Sequence, residues 1–155
     1  MKILLAVDGS AYTQKMLAYL TSHQEMLGTG HEYTIITVQP LLPPRARAAL
    51  GKEVVEQYYD EESAKILQPV QEFLKARGVE AHSISKVGPI ADTIIHVAQD
   101  GKFDLIAMGT HGHGALGRLV MGSVSSQVLA GCTIPVLLIR WWAWLHAPEQ
   151  HVCHV

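Results

Sequence analysis

A chain of 155 residues has room for one domain that buries most of the surface its unfolded form exposes, so no metal or disulfide scaffold is needed to hold it together. Its composition, 48% hydrophobic and 17% charged, is that of a globular chain, and a formal net charge of −2 offers no electrostatic attraction to nucleic acid. Two cysteines, Cys132 and Cys153, are too few for a disulfide framework. The opening apolar run is cut by Asp8 before it reaches the ~7–15 residues of a signal-peptide core. "IPVLLIRWWAWLHA" is broken by Arg140 and falls short of the ~20 residues that span a bilayer, so the chain reads as cytoplasmic, with no membrane partner.

Short β-branched runs alternate with helical patterns along the chain. "KILLAV" (2–7) opens as a strand, almost continuously apolar, as strands covered on both faces are. "SAYTQKMLAYLTSHQEML" (10–27) follows as a helix with Ser10 as its N-cap. "YTIITV" (33–38) is the second strand, and "PLLPPRARAALG" (40–51) reads as a loop. Residues 47–77 carry Val54, Val55, Tyr58, Leu67, Val70 and Leu74 on helical spacing, with Pro69 expected to kink or divide the helix. A third strand, "EAHSIS" (80–85), leads to "GPIADTIIHVAQDG", with Pro89 at the first helical position and Gly101 past the end. "FDLIAM" (103–108) is the fourth strand. A fourth helix opens at Ser123 and stops by Gly131, and "IPVLLI" (134–139) closes the series as another almost continuously apolar strand. Strands separated by helices predict a single doubly wound α/β domain, a five-stranded parallel sheet with helices on both faces. The domain takes residues 1–140, and 141–155 form a Trp/His-rich tail.

The segment between the fourth strand and the fourth helix, "GTHGHGALGRLVMGS" (109–123), lies beyond the carboxyl end of a strand, where open α/β sheets bind ligands. Three phosphate-binding patterns can be laid over it. Gly112–Gly117 satisfies G-x-G-x-x-G, but that fingerprint belongs to a first βα turn and needs an acid about 20 positions on, where this chain has "PVLLIR". Gly112–Leu119 imitates a P-loop, yet Arg118 stands for its lysine and Leu119 for the metal-binding hydroxyl. The third pattern uses Gly109, Gly112, Gly122 and Ser123: G-x-x-G, nine residues, then G-[ST].

That third spacing is the nucleotide-binding pattern of the universal stress protein family in its ATP-binding branch. The chain resembles that family over nearly its whole length, from "VDGS" (7–10) through "GTHG" (109–112) and "GSVS" (122–125) to "PVLLI" (135–139). The resemblance implies a sheet of order 3-2-1-4-5 and an ATP-binding stress-response regulator. It implies that Asp8 contacts the adenine or ribose, that backbone at Val38 and Met108 frames the base, and that Gly109 approaches the sugar. The candidate nucleotide-binding set is therefore Asp8, Val38, Met108, Gly109, His111, Gly112, Gly122, Ser123 and Val124. The cofactor is ATP, with or without Mg2+.

The residues support phosphate chemistry on their own account. Gly109 and Gly112 permit positive φ and close backbone approach to an anion, and Gly122 with Ser123 sits where free amides and a helix dipole point outward. Ser123 either donates to a phosphate or caps its helix. Asp8 has capping of the following helix as its structural alternative, and Val38 and Met108 have the core. His111 shapes the loop and His113 is exposed, while Arg118 is divided between a phosphate contact and a solvated loop position.

No catalytic residue and no metal ligand is assigned. Asp8 and Asp104, the latter placed within a strand, are the carboxylates near the loop. Cys132 has no base beside it. The reading is little or no turnover, with a slow nucleotide-hydrolysing enzyme as one alternative and a partner-binding module with a structural nucleotide as the other. In the tail, Trp141, Trp142 and Trp144 carry apolar area for an unknown protein partner, and His146, His151, Cys153 and His154 match no zinc spacing. The last strand, 135–139, lies at a sheet edge and predicts a homodimer.

Overall fold

The computed structural model describes residues 1–23, 25, 28, 30–111 and 121–140. The expectations for Gly112, His113, Arg118 and the tail 141–155 lie outside the described residues. The elements run β1 (Lys2–Ala6), α1 (Ala11–Ser22), β2 (Glu32–Gln39), α2 (Pro44–Leu50), α3 (Lys52–Ala76), β3 (Ala81–Val87), α4 (Ile90–Asp100), β4 (Leu105–Gly109), α5 (Ser123–Gly131) and β5 (Val136–Ile139). The strands form one sheet in the order β3-β2-β1-β4-β5 with every pairing parallel, as expected.

Strand alternation sorts the apolar residues onto two faces. Ile3, Leu5 and Val7 point with Tyr33 and Ile35 to one side, against Met16, Leu17 and Leu20 of α1 and Leu67, Val70 and Leu74 of α3. Leu4 and Ala6 point with Ile36, Val38, Ile106 and Met108 to the other, against Ala91, Ile94 and Ala98 of α4 and Val128 of α5. Both Leu4 and Leu5 are fully buried, which is why β1 has no polar position after Lys2 at its start. Truncating either to Ala removes about 2–5 kcal/mol of stability.

The structure corrects the sequence reading in several places. The 40–51 stretch contains α2. Pro44 stands in the first turn, where a missing N–H leaves nothing unsatisfied, and Gly51 at φ +83° ends the helix. The break in the 47–77 segment therefore falls at Gly51, and Pro69 lies inside a continuous 25-residue α3. Pro69 is exposed, so water can reach the carbonyl that lost its amide, while Leu67, Val70 and Leu74 hold the helix to the sheet.

At the other end of the chain, α1 stops at Ser22 rather than reaching 27. The hydroxyls of Thr21 and Ser22 donate back to the carbonyls of Leu17 and Tyr19, competition typical of a helix about to end. Ser10 occupies the N-cap position without a side-chain capping bond. Asp104 precedes β4 rather than lying in it, and its carboxylate accepts the Lys2 amide at 2.7 Å at the amino end of the sheet. Among the described residues, no helix is long and apolar enough to cross a membrane.

Candidate functional site

The carboxyl ends of β1 and β4 are adjacent in the sheet, and the chain leaves them toward opposite faces, α1 packing on one side and α5 on the other. A crevice opens where connections diverge in this way. A cavity of about 430 Å³ occupies it, lined by Asp8, Val38, Met108, Gly109, His111, Gly122, Ser123 and Val124. Every described member of the candidate set thus faces one space, of the size that holds a small molecule.

On the β1 side the chain turns sharply through Gly9, at φ +76°, where an added Cβ would also stand 3.1 Å from the Ile66 side chain. Asp8 closes this turn. Its Oδ1 accepts the Ser10 amide at 3.0 Å and the Thr13 hydroxyl at 2.8 Å. The Asp8 amide in turn donates to Thr13 Oγ1 at 3.1 Å. The Ser10 hydroxyl is left buried, the one buried side-chain N or O atom without a hydrogen-bond partner among the described residues. Asp8 therefore holds the turn before α1 through the Ser10 amide and Thr13, in place of the helix capping weighed for it, and lines the cavity as well.

On the β4 side, Gly109 does not have positive φ, contrary to expectation. It answers instead to close approach, since an added Cβ would lie 3.3 Å from the His111 carbonyl and 3.4 Å from Tyr12 Cβ. The His111 ring lies 5.2 Å from that of Tyr12, and its Nδ1 is 3.0 Å from Thr110 Oγ1, contacts that shape this corner.

Gly122 is the N-cap of α5, in extended backbone at φ −74°. Its amide is not free for an anion, because it donates to the Thr110 carbonyl at 2.7 Å. The donors left at this helix end are the first-turn amides of Ser123, Val124 and Ser125, for which a helix has no internal acceptors. Ser123 is exposed in the first turn, inside the cap. Capping is thereby removed from its two readings.

Several lining residues escaped the sequence reading: Thr13, Thr37, Gln39, Pro40, Ile66, Ile90, Ile94 and Ser125. The isoleucines of α3 and α4 carry a legible helical pattern, but nothing in it separates a cavity wall from core. Asp8 is the carboxylate among the described lining residues. Among the described residues, no group of three or more His, Cys, Asp or Glu side chains could hold a metal ion.

A family model described as the universal stress protein family matches residues 1–140. Universal stress protein YxiE of Bacillus subtilis is 30% identical over 151 residues, covering 90% of this chain and 98% of that protein. Universal stress protein Slr1230 of Synechocystis is 30% identical over 139 residues, covering 90% of this chain, which spans only 42% of that longer relative. Among solved structures, MJ0577 of Methanocaldococcus jannaschii superposes with a TM-score of 0.76 at 23% identity, over 91% of this chain and 96% of that one. A universal stress protein family protein from Arabidopsis thaliana with AMP bound gives 0.68 at 15% identity, over 96% and 97%. The Archaeoglobus fulgidus protein in complex with dAMP gives 0.63 at 18%, over 89% and 96%.

Proposed function

The chain belongs to the universal stress protein family, and from that premise we propose that it is an ATP-binding regulator of the stress response with little or no turnover. The observation that carries this reading is the convergence of Asp8, Val38, Met108, Gly109, His111, Gly122, Ser123 and Val124 on one cavity at the sheet's switch point. The AMP and dAMP held by two proteins of the same fold support an adenine nucleotide as the occupant.

In this reading the base lies against the apolar wall of Val38, Met108, Ile90 and Ile94. Asp8, already oriented by Ser10 and Thr13, accepts from the ribose or adenine. The phosphates extend toward α5. There the first-turn amides and the positive end of the helix dipole meet them, worth about 0.3–1 kcal/mol from the dipole alone. Gly122 contributes by leaving room rather than by donating. The nucleotide domain is residues 1–140, the protein works in the cytoplasm, and Mg2+ accompanies the phosphates where it is present.

The regulator is a homodimer joined along β5. That strand is an edge of the sheet, and its Val136, Leu137 and Leu138 are half-buried rather than covered on both faces, so apolar surface and unpaired backbone groups stand ready for a second copy.

Mass spectrometry of the purified protein under native conditions tests the central assignment. A retained or readily added adenine nucleotide, one per chain, is the expected result. A chain that neither retains one nor takes up added ATP refutes it.

A further inference from the structure

Thr110 joins the end of β4 to the start of α5. Its amide donates to the Ile139 carbonyl at 3.2 Å, tying it to the end of β5, and its carbonyl accepts the Gly122 amide at 2.7 Å. The same carbonyl accepts the Ser125 hydroxyl, also at 2.7 Å, across 15 residues of sequence. Ser125 further reaches the Gly122 carbonyl at 3.0 Å. Thr110 is 5% exposed and Ser125 2%, so little water competes for these bonds, and shielded hydrogen bonds of this kind fix geometry strongly.

A serine in the first turn commonly bonds back to its own helix, and the contact to Gly122 is of that sort. The shorter contact to Thr110 is not, because it runs between two elements. It sets where the first turn of α5 stands relative to the end of β4. With the Gly122 amide committed to Thr110, the donors available to an anion are those of Ser123, Val124 and Ser125 itself. Their aim then depends on how α5 is held.

We propose that Ser125 is a positioning residue for the phosphate end of the site, a role that rests on the adenine-nucleotide reading above. Its hydroxyl holds the helix start against Thr110 so that the first-turn amides converge on the phosphates. The base and ribose end, built from β1, β2 and α4, does not depend on it.

Titration calorimetry of ATP and of adenosine into the full chain and into Ser125→Ala separates this role from a merely structural one. Ser125→Ala is expected to fold, to bind ATP roughly tenfold more weakly, and to bind adenosine as the unmodified chain does. Parallel loss of both ligands, or loss of neither, overturns the assignment while leaving the nucleotide reading in place. An unmodified chain that binds neither ligand overturns that reading and the assignment with it.

Discussion

Thr13 and Asp8 are bonded twice: the Thr13 hydroxyl donates to Asp8 Oδ1 at 2.8 Å and accepts the Asp8 amide at 3.1 Å. The pair locks the turn between β1 and α1, so the carboxylate is oriented before any ligand arrives, and less ordering remains to be done on binding. Thr13→Val keeps the shape of this buried side chain and removes both bonds. Chemical denaturation should show a loss of about 1–2 kcal/mol. ATP and adenosine affinities should fall together, because the defect lies at the nucleoside end. Stability and affinities equal to those of the unmodified chain would remove the lock from the account.

Ligand binding should order the segments that border the cavity. Gln39 and Pro40 line it, and α2 just beyond has no buried residue, so its one short turn series is marginal by itself. Hydrogen exchange should show amides of 40–51, and of 109–111 with 121–122, protected on addition of ATP. Identical protection of these segments with and without ATP would end the idea of a nucleotide-gated switch in them.

The dimer prediction concerns β5. Antiparallel pairing of Val136–Ile139 with a second copy would satisfy the edge around a two-fold axis. The carbonyls of Pro135 and Ile139 accept from β4, so the odd-numbered residues of β5 bond inward and Leu138 turns its amide to the open edge. Light scattering should give a dimer for the intact chain and a monomer for Leu138→Pro, which removes an edge donor. A monomeric intact protein contradicts the interface. A chain ending at Arg140 that dimerises as tightly as the original would show that Trp141, Trp142 and Trp144 take no part.

Alkaline pH provides a further test of the core. Burial pushes the Tyr33 phenol above its ordinary value, and its hydroxyl donates to the Gly28 carbonyl at 3.3 Å. The folded state therefore holds this proton more tightly than the unfolded chain. That contribution is complete below the unfolded value of about 10 and is lost as pH rises through the higher folded value. Stability measured by denaturation should fall above pH ~10, less steeply in Tyr33→Phe. Equal slopes in the two proteins would contradict the assignment.

The strands and helices were legible because a parallel α/β chain writes its strands as apolar runs and its helices as periodic faces, while the sheet order came with the family resemblance. Helix α5 opens at Ser123 and ends at Gly131 as expected, with Gly122 rather than Ser123 as its cap. What misled was the weight given to proline. In "PPRARAAL" the prolines suggested a loop, although Pro44 in a first turn followed by Ala, Arg and Leu is sound helix chemistry. Pro69 suggested a break, although an exposed proline on a helix held by its opposite face loses only one bond. The glycine pattern brought Gly109 and Gly122 to one place, but Gly109 stands there for close packing rather than positive φ, and the Gly122 amide expected to be free is spent on Thr110. Thr13 and Ser125 were illegible because a hydroxyl's role comes from a partner in another element, which no local spacing announces.

Titration calorimetry of ATP into the unmodified chain and into Gly122→Val tests the central claim most directly, that the phosphates lie against the start of α5. Gly122 has extended backbone, which valine adopts readily, so the variant should fold with a loss of about 1 kcal/mol from the poorer cap. Its branched side chain stands where the phosphates would pass. The account predicts binding by the unmodified chain and a fall of roughly two orders of magnitude in the variant, about 2.7 kcal/mol. A folded Gly122→Val protein that binds ATP with unchanged affinity would contradict it.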